Sequence, residues 1–228
     1  MRSEEDGRPR AALLVPAVAL LAFAIVPGGD PPFTLHALRV LLFTFIGAPL
    51  LLVGLPAGML EALATRAPWS GVLRAVSRPP VGLLCFAASQ ALALAPPCFD
   101  FARWSPWTGL LVNVAWAGMA LLAWWLVCAP AGAPGKRREI VGMVYLFLLG
   151  VPLQLAAGPI AVANRMLYDG IAPADQRTGG LVLWVPGGLL LWGAITVLWV
   201  RWARRAAREA AAADAPPLSI PGDASADR

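Results

Sequence analysis

Six long apolar runs decide what this chain can fold into. They lie at roughly 11–27, 33–60, 80–98, 107–130, 139–163 and 180–202. Each reaches or approaches the ~20 residues that a helix needs to cross a hydrocarbon core of about 30 Å. Inside a bilayer no water is available to backbone amides and carbonyls, so such a segment must pair them internally, as a helix. Only 14% of the 228 residues are charged and the mean hydropathy is +0.69, too little charge to cover a water-soluble domain of this size. The expected fold is all-α, a polytopic transmembrane bundle of about six helices.

The first run, "AALLVPAVALLAFAIVPGGD", is longer than the apolar centre of a secretory signal. It lacks an A-x-A-like cleavage site and follows an acidic "EED". It reads as a retained first helix.

Basic residues then set the orientation. Arg2, Arg8 and Arg10 precede the first run, Arg66, Arg74 and Arg78 follow the second, and Lys136, Arg137 and Arg138 follow the fourth. Arg201, Arg204, Arg205 and Arg208 close the sixth, whereas the opposite side holds only Arg103, Arg165 and Arg177. The positive-inside rule places both termini in the cytoplasm. The formal charge of +5 therefore reflects topology. The basic residues sit at helix ends and form no patch interleaved with aromatics, which argues against nucleic acid as a partner and leaves membrane lipid.

Three regions follow: a cytoplasmic lead at 1–10, a helical bundle at 11–205, and a tail at 206–228 rich in Ala, Asp and Pro, helical at first and then disordered. Proline recurs within the runs, at Pro16, Pro49, Pro56, Pro152, Pro159 and Pro186. Each removes a backbone donor, and neighbouring helices can re-satisfy the carbonyl that it frees. "GAPLLLVGLP" (47–56) and "GVPLQLAAGP" (150–159) match at a constant offset of 103. Biased composition explains that match more readily than inverted repetition, and the glycines and prolines read as close-packing and kink devices.

Polar residues within apolar runs are costly and concentrate at functional places. His36, the only histidine, and Arg39 are spaced i, i+3 and share a helical face. Arg39 either extends its head to the boundary or pairs with Asp100, Asp169 or Asp175. "ALAPPCFDFARW" (93–104) ends the third run at a Pro-Pro step and brings Asp100 and Arg103. "DGIAPADQRTGGLVLWVPGG" (169–188) places Asp175 and Gln176 before Gly179 and Gly180, with Trp184 and Pro186 a turn further. The carboxylate and amide are suited to capping a helix or pairing Arg39, and the two glycines to close backbone approach. All three segments fall at the outer side of the six-helix topology, so a polar cluster is expected there.

Other chemistries lack their residues. Triads and H-E-x-x-H zinc sites need histidines that this chain does not have, and no G-x-x-x-x-G-K-[ST] loop occurs. Cys85, Cys98 and Cys128 are dispersed without C-x-x-C spacing and read as small buried hydrophobes, Cys98 falling nearest the outer end. Trp69, Trp104, Trp107 and Trp199 lie near run ends, where an aromatic belt accounts for them, and Trp124 and Trp125 lie deeper, as packing.

These motifs together resemble the CtaG-type cytochrome c oxidase assembly proteins. "FTLHALRVLLFTFIGAPLLLVGLP" is similar to an H-M-x-x-H pattern followed by P-x-L-L-x-x-G-x-P, with His36 as the first histidine and Pro49, Gly54 and Pro56 in frame. "ALAPPCFD" is similar to W-H-x-P-x-x-Y-D at Pro96, Phe99 and Asp100. "DQRTGGLVLWVPGG" is similar to D-Q-x-x-G-G-x-x-M-W-x-P-G at Asp175, Gln176, Gly179, Gly180, Trp184, Pro186 and Gly187. The resemblance spans about residues 33–200. It implies an assembly factor of the bacterial plasma membrane, not an enzyme, linked to copper delivery and to oxidase subunits or copper chaperones as partners.

This sequence departs from the pattern where the metal would bind. Val40 stands at the second histidine, Leu94 at the third-run histidine, and the fourth run has none. Two imidazoles at i, i+4 can grip one ion, whereas His36 with Val40 cannot. Copper would need His36 joined by soft ligands such as Cys98 and Met166. The adjacent Arg39 cation disfavours a bound cation. Own metal binding is therefore expected to be weakened or lost. A small-solute or ion transporter, and a structural membrane interaction protein, are the alternatives from other classes.

Overall fold

The computed structural model describes residues 8–26, 32–128 and 139–213, and all its regular secondary structure is helical. The chain runs through α1 (Arg8–Ile25), α2 (Phe33–Leu42), a π turn at Phe43–Gly47, and α3 (Ala48–Gly54). It continues through α4 (Ala57–Thr65), α5 (Trp69–Val76), α6 (Pro79–Leu94) and α7 (Pro96–Arg103). It ends with α8 (Pro106–Cys128), α9 (Glu139–Val162) and α10 (Pro173–Ala213).

Among the described residues, four helical spans are long and apolar enough to cross a membrane: Phe33–Gly54, Pro106–Cys128, Glu139–Val162 and Pro173–Ala211. A fifth arises if α6 and α7, bent by 55° at their junction, count as one, and Ala12–Ile25 is a shorter apolar helix. Six expected crossings thus correspond to four clear spans, one broken pair and one short helix. The lead before Arg8, the basic 131–138 loop and the tail after Ala213 lie outside the described residues.

Proline punctuates the helices in the way its chemistry dictates. Its missing N–H is harmless in a first turn, and α6, α7, α8 and α10 all open on proline. Pro56 ends the span that the sequence extends to 60, because α3 stops at Gly54 and Leu55 turns extended before it. The 61–79 connection is not a plain loop. It folds as α4 and α5, and α5 buries Leu73 and Val76 while leaving Trp69 exposed. Of the two matching decapeptides, the first starts at the last residue of the π turn, takes in all of α3 and ends at Pro56, and the second continues through Pro152 and Pro159 inside α9.

Four helix pairs carry most of the packing: α9 with α10, α6 with α8, α10 with α2, and α1 with α3. The shared core contains Phe33, Phe43, Phe86, Trp116, Tyr145, Leu146, Leu149, Leu153 and Leu183. Glycine sets the closest approaches. A Cβ on Gly82 would lie 2.6 Å from the Tyr145 hydroxyl, and one on Gly180 would lie 2.5 Å from the backbone nitrogen of Ala161. Trp104, Trp107 and Trp69 are exposed near helix ends and Trp199 is exposed well inside α10, whereas Trp124 and Trp125 are buried.

Candidate functional site where α2, the α6–α7 break and α10 meet

Helix α2 begins after Pro32, which offers no side-chain acceptor for the free amides of the first turn. The acceptor comes from another helix. Asp175, in the first turn of α10, accepts from the Phe33 amide at 2.6 Å, the Thr34 amide at 3.1 Å and the Thr34 hydroxyl at 2.6 Å. A carboxylate at a helix N-terminus meets both the orphan donors and the positive end of the helix dipole. Asp175 therefore caps α2 from across the bundle.

The next residues of α10 continue the same work. Gln176 is fully buried: its Oε1 accepts from the Leu167 amide at 2.9 Å, and its Nε2 donates to the Arg165 carbonyl. One side chain thus clamps the first half of the 163–172 connection, which Gly170 then turns with φ of 74°. A Cβ on Gly179 would lie 2.5 Å from the Phe33 ring. Phe33 in turn packs at 4.4 Å from the Tyr168 ring and 5.6 Å from the Phe99 ring.

The third wall is the helix break. Pro96 and Pro97 have no N–H, and the amides of Cys98 and Phe99 both turn to the Ala95 carbonyl. The carbonyls of Ala93 and Leu94 are left without the donors that a continuous helix would supply. Two side chains take them. His36 Nε2 lies 2.7 Å from the Ala93 oxygen, and the Tyr168 hydroxyl donates to the Leu94 oxygen at 2.5 Å. A carbonyl can only accept, so His36 carries a proton on Nε2. Burial and the nearby Asp100 carboxylate push the Tyr168 phenol well above its ordinary pKa, which keeps it a donor. His36 also lies edge-on to Phe99 at 5.0 Å.

Prolines elsewhere follow the same rule. In the π turn the Ala48 amide reaches back to Phe43, and Pro49 has no N–H to give. The Thr44 carbonyl accepts instead from the buried Trp124 indole at 2.6 Å.

The remaining sequence candidates scatter around this mouth. Arg39 lies one turn along from His36, with its guanidinium carbon 5.0 Å from the Phe23 ring of α1 and its Nε without a hydrogen-bond partner. Asp175 is committed to α2, and Asp169 meets Arg103 through its backbone oxygen at 2.8 Å. Asp100 keeps one buried carboxylate oxygen, Oδ1, without a hydrogen bond. Trp184 donates to Gln154 of α9, away from the mouth, and Pro186 lies inside α10. Pro56 is exposed at the far end of its span.

The residues present offer copper little. His36 donates Nε2–H to the Ala93 carbonyl, which leaves Nδ1 as its one possible ligand atom, while Met166 is 63% exposed and Cys98 is partly buried on α7. Among the described residues no three His, Cys, Asp or Glu side chains are grouped to hold a metal ion. Anaerobic Cu(I) titration of His36→Ala is expected to match the parent, while its unfolding free energy falls by about 1–3 kcal/mol as the Ala93 carbonyl loses its donor. One copper per chain in the parent, lost in the variant, would refute this.

Sequence reasoning missed Tyr168, Thr34 and Trp124 as working groups. Tyr168 had a signal: the chain has two tyrosines, and both Tyr145 and Tyr168 bury a hydroxyl against a backbone carbonyl.

Taken together, spans of membrane length, a proline-broken helix and a capped mouth define a polytopic helical membrane protein with a site built at one end of its bundle. The model of the cytochrome c oxidase caa3 assembly factor family (Caa3_CtaG) matches residues 8–205, and the chain belongs to that family. Comparison with curated proteins and with solved structures returned no match.

Proposed function

We propose that this chain assists cytochrome c oxidase assembly in a bacterial plasma membrane by associating with oxidase subunits or their copper chaperones, without catalysis and without a copper ion of its own. In this reading six helical segments cross the bilayer, both termini are cytoplasmic, and the mouth of α2, α6–α7 and α10 faces outward. Family membership supports the assembly role. The observation that carries the mode of action is the His36–Ala93 bond: the only imidazole serves the helix break, and the residues around it form a cap and an aromatic cluster. Buried groups that order the mouth this tightly hold the exposed residues beside it, such as Trp104 and Met166, in place, which suits presenting a fixed shape to a partner.

Transport draws less support. Among the polar residues of the spans, Asn113 bonds the Ile25 carbonyl, Thr196 bonds Trp192 and Gln154 accepts from Trp184. These three groups bond within the fold, and Gln154 also lines an otherwise apolar pocket between α9 and α10.

Deletion of the gene is expected to lower the oxidase absorption bands and the copper content of membranes. His36→Gln, whose amide still donates to Ala93, should restore both as well as the parent gene does. Unchanged oxidase and copper after deletion would overturn the assembly role, and failure of His36→Gln alone would overturn the metal-free mode.

A further inference from the structure

Four helical serines and threonines turn their hydroxyls back onto a carbonyl one turn earlier: Thr65 onto Glu61, Ser77 onto Leu73, Thr178 onto Ala174 and Thr196 onto Trp192. Thr44 and Ser89 do not. Both are fully buried, and neither hydroxyl has a hydrogen-bond partner. Beside Ser89, Gln90 is 1% exposed, and both its carboxamide oxygen and its nitrogen are unpartnered. The indole nitrogen of Trp116, also 1% exposed, is in the same condition.

Contacts between the helices place these groups around one joint. His36 meets Ala93, and Phe45 meets Phe86 at 6.0 Å, which fixes α6 antiparallel against the span that begins at Phe33. Ser89 and Gln90 lie between Phe86 and Ala93 on α6, about one turn from each. Thr44 adjoins Phe45 in the π turn, a helical irregularity that recurs at functional places. From α8, Trp116 packs edge-on to Phe43 at 5.6 Å, and Trp124 donates to Thr44. Unpartnered donors and acceptors thus lie on adjoining stretches of three elements in the bundle interior. None of these four side chains is charged, and Arg39, whose buried Nε also lacks a partner, sets its guanidinium over the Phe23 ring of α1, so the chemistry suits a neutral guest able both to donate and to accept.

We propose that this joint is an internal binding site for ordered water, anchored by Gln90 and shared by the π turn, α6 and α8. Two acceptor positions and two donors on the carboxamide, two hydroxyls and one indole N–H are the partners that a buried water recruits. The water would complete the wide turn, as Trp124 completes its backbone. This inference is independent of the assembly role.

Hydroxyl-radical footprinting by X-ray radiolysis labels side chains that touch bound water, and it applies to the full chain in detergent. After correction for intrinsic reactivity, Trp116 and Phe86 are expected to label several-fold faster than Tyr145, which is as buried as Trp116 and whose hydroxyl is already bonded to Ala123. In Gln90→Leu, Trp116 labelling should fall several-fold with no gain in melting temperature. Equal labelling of Trp116 and Tyr145 in the parent overturns the site, whether or not the variant folds. So does a Gln90→Leu protein that melts higher and labels unchanged, the mark of a dry interior. A stoichiometric small molecule seen by native mass spectrometry, and lost in the variant, would overturn water as the occupant.

Discussion

Gly180→Ala is expected to prevent accumulation of the folded bundle. The added methyl would lie 2.5 Å from the Ala161 nitrogen, 2.7 Å from its Cα and 2.9 Å from the Ile160 carbonyl carbon. All three are backbone atoms of α9, and no rotamer change can move them aside. Overpacking against side chains costs about 1–3 kcal/mol. Here α9 and α10, which form the most extensive helix contact, must separate as rigid bodies. Gly193→Ala is the control, since nothing lies within 4 Å of its Cβ position. Yield and melting temperature in detergent decide it: the control should match the parent, and a Gly180→Ala protein that does the same would refute the close contact.

Asp175→Ala should have the second largest effect. A lost N-cap costs about 0.5–2 kcal/mol. This cap is also charged, accepts three bonds and bridges two helices, so a loss of about 2 kcal/mol or more is expected. Asp175→Asn keeps an acceptor oxygen and should fall between the parent and Asp175→Ala. Hydrogen exchange gives a local readout, because freed amides at Phe33 and Thr34 should exchange faster in Asp175→Ala while those of α8 do not. Unchanged protection at Phe33 would show that the carboxylate is dispensable.

Much of the fold was legible because hydrophobic length is a one-dimensional property. Runs of apolar residues mark spans directly, and Pro-Pro at 96–97 marks the break. Asp175 could be recognised as a capping residue, and Gly179 and Gly180 as places of close approach. The target of the cap could not be read. Asp175 looks like a cap for its own helix α10, yet its bonds go to Phe33 and Thr34, more than a hundred residues earlier, and sequence spacing carries no information about such a pairing. His36 posed the opposite difficulty. An isolated histidine at a helix end suggests a metal ligand, while its need arises at Pro97, on a different helix. Likewise Trp124 reads as packing until the π turn is known, because only that turn leaves the Thr44 carbonyl free. Short apolar connections also hide amphipathic helices such as α5, whose period occupies only two turns.

The links from His36, Tyr168 and Trp124 to distant carbonyls make two helix irregularities, the Pro-Pro break and the π turn, the concern of residues elsewhere in the chain. Ala95 is extended ahead of Pro96, so a donor at position 97 alone would not reach the Ala93 oxygen; only replacing both Pro96 and Pro97 could carry the helix through and free position 36 from its duty. Histidine at 36 and the Pro-Pro step are therefore expected to be exchanged together or not at all, so that tolerance at one place must be judged by what occupies the other.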